Sequence, residues 1–207
     1  MDDQIDPKIS KNRLEALVDG IFAFAMTLLV TGLVVPSLSK TEAKTRLAAS
    51  IIEMRSEFVS FLVAFFILAS LWQMHHRQFR YVRVVDSVIM RITLLILACV
   101  VLIPFTTNVS GDYSDVQIAV NLFHANMFSL GLFFLVHWWY LTRTPDITSV
   151  AISSRDALSG AYRSLITPFI SVLGFAFSFI SPSWSMAVYL LIMPCIAIVK
   201  RYCHPTI

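Results

Sequence analysis

Long apolar runs alternate with short polar breaks along this chain, and the runs are too long for strands. A helix needs about 20 largely apolar residues to cross a bilayer. Six such segments fit, at roughly 14–35, 50–74, 87–106, 116–141, 157–180 and 183–200. The pattern predicts an all-α membrane protein, one six-helix bundle over residues 1–207, with short connections and no soluble appendage. Polar punctuation predicts the helix ends. Ser39-x-x-Glu42 and Ser114-x-x-Gln117 have the form of capping boxes. Ser181 before Pro182 reads as an N-cap with proline at the first helical position. Pro36 is expected to end the first helix and Pro104 the third, because proline lacks an N–H and crowds the preceding turn. Pro168 and Pro194 fall inside segments and are expected to bend them.

The first segment is the least uniform. It opens with Arg13, Glu15 and Asp19, then runs apolar to Pro36 except for Thr27 and Thr31. Carboxylates near hydrocarbon are costly, so Glu15 and Asp19 point to function or to specific partners. Phe24, Thr27, Leu28 and Thr31 share one side at i, i+3, i+4, i+7 spacing. A side that mixes bulky apolar groups with hydroxyl oxygens suits a pore wall with a hydrophobic gate.

Composition and charge narrow the class. Of 207 residues, 57% are hydrophobic and 14% charged, against about 25% charged in soluble domains. The start, MDDQIDPK, is acidic, unlike the basic beginning of a signal peptide. The net charge of +3 is explained by orientation rather than by nucleic acid. Lys8, Lys11 and Arg13, then Arg77, Arg80, Arg83 and Arg91, then Arg143 and Arg155, then Lys200 and Arg201 all fall at one end of the expected bundle. The other end carries Asp112, Asp115 and an uncharged turn at Pro182. Only the mixed connection from Lys40 to Glu57 breaks the trend. Basic loops mark the cytoplasm, so both termini are expected there.

Candidate chemistry is sparse. Cys99, Cys195 and Cys203 have no metal-ligand spacing and read as small apolar groups. No HExxH, nucleotide loop or Ser/His/Asp constellation is present, so neither enzyme activity nor a cofactor or bound metal is expected. His75 and His76 are adjacent and point apart on a helix, so they do not form a two-ligand metal site. One of them could hydrogen-bond Asp19; a wet interfacial histidine is the alternative. His137 beside Trp138 and Trp139 reads as an interfacial aromatic belt. Asn121 and His124 either bridge helices or line a path, and Ser171, Gly174 and Ser178 are spaced for close helix packing.

The stretch from Arg13 through Leu17, Val18 and Asp19 into Gly-Ile-Phe-Ala-Phe-Ala-Met-Thr resembles the first span of the transmembrane protein 175 family, endosomal and lysosomal potassium channels with prokaryotic relatives. Arg13 and Asp19 match the family motif; Leu17 and Val18 stand where Phe and Ser are expected. Trp72-x-x-His75-His76-Arg77-x-Phe79 resembles the family segment after the second span, and Leu102-Ile-Pro104-Phe105 its third-span end. The resemblance implies six helices per repeat, and for a single-repeat chain a homotetramer whose first helices line the pore without a re-entrant filter loop. The family constriction falls at Phe24, with Leu28 and Thr31 as the next lining positions outward. The resemblance also implies a polar network of Arg13, Asp19, Trp72 and His75 or His76 that holds the first helix. The expected partners are further copies of the chain, membrane lipid and permeant K⁺.

The residues themselves agree on one point. No acid lies on the Phe24/Thr27 side, so a carboxylate ring does not set selectivity. Thr27 hydroxyls in a narrow apolar neck favour the cation that sheds water more easily, K⁺ over Na⁺, with transient K⁺ near Thr27. Asp112 and Asp115 would raise the local cation concentration. The rival reading is a proton-coupled secondary transporter using Asp19, His75 or His124, and it lacks inverted repeats or paired broken helices.

Overall fold

The computed structural model describes residues 10–203, except for the side chains of Lys200 and Cys203. Its long helices are α1 (Lys11–Leu28), α2 (Lys40–Glu53), α3 (Arg55–Phe79), α4 (Ser87–Asp112), α5 (Gln117–Arg143) and α6 (Ser154–Ser178), followed by α7 (Pro182–Ser185) and α8 (Ile192–Cys203). Short 3₁₀ turns extend α1 over Leu29–Gly32 and join α7 to α8 over Met186–Leu191. The described residues contain no β-strand, only a single bridge between Val82 and Thr148. Six segments are long and apolar enough to span a membrane: α1 with its 3₁₀ turn, α3, α4, α5, α6, and Pro182–Val199.

One apolar cluster joins α1, α3, α4, α5 and α6 across the bilayer. In α1 the buried residues are Leu14, Val18, Phe22 and Ala25, a stripe at the helical repeat that lies against α3 and α4. A second cluster closes the end that holds the α1 start, where Leu14 meets Phe79, Val82, Ile89, Trp138 and Ile147. At this end Asp86 caps α4 through Val88 N and Ile89 N, a contribution of about 1 kcal/mol. The Tyr140 hydroxyl donates to its second oxygen at 2.5 Å.

Several helix ends differ from the sequence expectation. Pro104 does not end its helix; α4 runs through it to Asp112. A bilayer offers no water to an early helix end, so continuing the helix through the proline is favoured over exposing a whole unpaired turn. Pro36 does not end α1, which turns 3₁₀ at Leu29 and stops at Gly32. A Cβ on Gly32 would sit 2.0 Å from Asn108 Oδ1, so with any larger residue the Asn108 side chain would have to move aside. The second span starts at Arg55 and continues to Phe79, about five residues later than expected, because Lys40–Glu53 is a separate helix. Ser39 and Glu42 form the expected capping box on that helix. Ser114 and Gln117 do not; α5 starts after Val116 without a side-chain cap. Ser181 occupies the N-cap position of α7, but its side chain makes no cap bond, and the last span is broken by its 3₁₀ section.

The tightest helix pair is α5 with α6. A Cβ at Gly131 would lie 2.5 Å from Pro168 Cδ and 2.7 Å from Pro168 N. The small residue therefore accepts the proline ring, which lies inside α6.

Candidate functional site

The face of α1 opposite its buried stripe is uncovered. Arg13, Leu17, Gly20, Phe24, Thr27 and Thr31 are exposed along it, while Leu28 is half-buried. Phe24 has 61% of its surface free, whereas Phe22 has 0%. A Cβ added at Gly20 would meet nothing.

The two threonines on this face point their hydrogens inward. Thr27 Oγ1 donates to Phe24 O at 2.8 Å, and Thr31 Oγ1 donates to Leu28 O at 2.7 Å. Each hydroxyl proton is thereby used within the helix. The oxygen lone pairs remain to accept from water or to meet a cation. Thr31 lies in the 3₁₀ turn, not in α1 proper.

Asp19 is tied to α3 by the Trp72 indole, whose Nε1 donates to Asp19 Oδ1 at 2.8 Å. A charge-assisted bond across two spans fixes the register of α1 on α3. The histidines do not take that role: among the described residues neither His75, His76 nor Arg13 hydrogen-bonds Asp19. His76 is exposed and tilted against Trp72 at 6.1 Å. His75 turns inward, stacks on Phe79 at 4.5 Å, and leaves Nε2 without a partner. The helix puts adjacent residues about 100° apart, so only one of the pair can face the core.

His137 is a second departure. It is fully buried rather than interfacial, with Nδ1 2.7 Å from Gln78 Oε1. Gln78 Nε2 in turn donates to Phe134 O and Ser164 Oγ, linking α3, α5 and α6. Trp138 is also buried and donates to Ala157 O at 2.9 Å. Only Trp139 faces outward, with the Arg143 guanidinium over its ring at 5.3 Å. Gln78 escaped the sequence reading, although its signal was present. It stands in phase with Leu68, Leu71, Met74 and His75 on the buried face of α3, and a polar residue in an apolar stripe must find partners.

Asn121 and His124 bridge helices. Ser178 donates to Asn121 Oδ1 at 2.7 Å. The His124 ring nitrogens lie 3.0 Å from Tyr189 Oη and from Ser185 Oγ. Gly174 makes room for this imidazole, as a Cβ there would come within 2.6 Å of it. Both nitrogens are thus engaged in holding the broken last span against α5. Among the described residues no three His, Cys, Asp or Glu side chains gather as a metal would require.

Residues 13–104 match the family described as the endosomal/lysosomal potassium channel TMEM175. The likeness extends well beyond that stretch. A potassium channel of Streptomyces collinus is 27% identical over 181 residues, 86% of each chain. A potassium channel of Chamaesiphon minutus is 28% identical over 181 residues, 85% of this chain and 88% of its own. The first half of the chain is thus similar to the TMEM175 family, and most of its length to bacterial potassium channels. Solved structures share its fold. The crystal structure of a lysosomal potassium-selective channel TMEM175 homologue from Chamaesiphon minutus superposes with a TM-score of 0.78 at 24% identity, covering 92% of this chain and 98% of the other. A variant of the potassium channel MtTMEM175, bound to a nanobody fusion, gives a TM-score of 0.61 at 15% identity, over 100% and 99% of the two chains. The Arg13–Asp19 stretch and the Trp72 segment both lie inside the family match, and the indole–carboxylate bond joins them.

Proposed function

We propose that this protein is a potassium channel in which four copies surround a pore lined by α1. The observation that carries this reading is the uncovered face of α1, with Phe24 61% exposed on a helix whose other face is fully packed. An apolar, mixed face left free by its own chain is completed by further copies around an axis. In that arrangement Phe24 forms the constriction and excludes water when the rings converge. Thr27 lies about one turn outward and presents hydroxyl oxygens whose protons are already used. Such oxygens replace part of a cation's hydration and favour K⁺, which loses water more readily than Na⁺. Potassium is also the ion named for the relatives in Streptomyces and Chamaesiphon. Trp72 and Asp19 hold α1 while it moves or resists moving. The basic helix ends and both termini lie toward the cytoplasm.

The test is a planar-bilayer recording of the purified protein in asymmetric KCl and NaCl. Step-like single-channel currents with a reversal potential displaced toward the K⁺ equilibrium value are expected. Thr27→Val should move that potential toward zero and leave basal opening little changed. Flux at carrier-like rates, without unitary current, would overturn the channel reading.

A further inference from the structure

A second charged cluster lies away from α1, at the bundle end that holds the α1 start. The last turn of α3, Tyr81, and the first turns of α6 enclose a cavity of about 120 Å³. Three guanidinium groups line it, those of Arg77, Arg80 and Arg163, against one carboxylate, Asp156. Whatever Asp156 pairs with, the lining carries a surplus of positive charge. The floor is already closed: Gln78 Nε2 donates to Ser164 Oγ, and Ser164 Oγ donates to Gly160 O. The charged walls are not complete. Among the described residues Arg163 Nε is buried with no acceptor, and Arg77 and Arg163 reach the same cavity from different helices, bringing like charges together. Buried donors are normally satisfied, and like charges brought together are unfavourable without an anion between them.

The missing group must therefore be anionic and accept several hydrogen bonds. Forked guanidiniums match the paired oxygens of phosphate better than a spherical ion. Tyr81 adds a phenol at the rim that burial and the nearby Asp156 hold in its protonated, donating form. The cavity sits where the α3 and α6 spans end, at the depth of lipid headgroups. Basic pockets between spans in this position recognise phosphorylated headgroups.

We propose that this cavity is a phosphate-binding site, occupied by the headgroup of an anionic phospholipid and bridging α3 to α6. This site does not depend on the conduction reading, since none of its residues lies on the free face of α1. A bound group that touches both helices stabilises the fold by mass action.

The experiment uses full-length protein, delipidated in neutral detergent. Melting curves are taken with added dioleoyl phosphatidylglycerol, with dioleoyl phosphatidylcholine, or with inorganic phosphate, and lipid retention is read by native mass spectrometry. Phosphatidylglycerol should raise Tm and be retained, while phosphatidylcholine should do neither. Arg163→Gln should bind it roughly tenfold more weakly or worse, as expected for losing a charge-assisted hydrogen bond. Arg143→Gln, at the same end but outside the cavity, should respond as the parent does. If Arg163→Gln does not fold, Arg80→Gln at the exposed rim carries the comparison. A Tm gain with inorganic phosphate alone, lost in the same variant, assigns the site to free phosphate. No gain from either ligand, or an equal gain in the cavity variants, overturns the proposal.

Discussion

Replacing Phe24 by alanine separates a gate from a packing residue, because the structure sets the size of the folding cost in advance. Phe22 and Phe24 stand two positions apart on one helix, with exposures of 0% and 61%. Truncating a fully buried Phe costs about 3–5 kcal/mol in soluble cores. In a bilayer the transfer share shrinks, since lipid is as apolar as the core. Phe22→Ala should therefore fall near the lower end, about 3 kcal/mol. Phe24 has about two-fifths of its surface covered within the chain, which scales its cost to about 1 kcal/mol. If Phe24 is the constriction, removing its rings also wets the neck, and basal current rises while K⁺ preference falls. Melting curves of Phe22→Ala and Phe24→Ala, run beside bilayer recordings and native mass measurements, read both effects. The expected result is a leaky Phe24→Ala tetramer that melts close to the parent, and a Phe22→Ala protein that melts well below it. A Phe24→Ala protein that melts with Phe22→Ala, or one that is folded, tetrameric and silent, would refute the gate.

Three further perturbations test other parts of the molecule. Trp72→Phe keeps the ring but removes the 2.8 Å bond to Asp19; a loss of about 1–2 kcal/mol is expected, larger than for Asp19→Asn, which keeps an acceptor, and equal melting of both variants and the parent would show that the bond holds nothing. Gly131→Ala forces a Cβ to 2.5 Å from Pro168 Cδ and 2.7 Å from Pro168 N, a ring closed onto the backbone that cannot rotate away, so chemical denaturation should register a loss of about 1–3 kcal/mol. Glu42 is held below its ordinary value of 4.5, first by the Ser39 side-chain hydrogen bond. Its contribution to α2 is complete above that value and fades as pH falls through the lowered one. Amide exchange in α2 should accelerate in that acid window, and in Glu42→Ala it should be fast at every pH; protection that persists in the variant would discount the cap.

The spans and the identity of the distinctive helix were legible in the chain because both are written locally. A run of about 20 apolar residues has one stable home, and hydrogen-bonded helix is the form it takes in lipid. The same local logic located the Ser39–Glu42 cap, whose partners are three residues apart. It failed at Pro104, since a helix end in lipid leaves several backbone groups without water, and that outweighs the one bond a proline removes. The polar residues were harder still. His75, His137 and Trp138 look interfacial by composition, yet all three face inward. The partners of His137 and Trp138, Gln78 and Ala157, are supplied by other helices, and His75 faces His137 of α5.

The chain by itself therefore determined how many helices cross the membrane, that α1 is the one with two different faces, and that Asp19 must be paired. Only the tertiary structure decided that Trp72 rather than a histidine pairs it. The same holds for which α1 face stays free, and for the meeting of Arg77, Arg80 and Arg163 around one cavity. Hydrophobic periodicity is a property of neighbours along the chain, whereas hydrogen bonds and charge clusters between spans depend on rotation and register. Those are set by how residues such as Phe22, Gly131 and Pro168 fit against their neighbours.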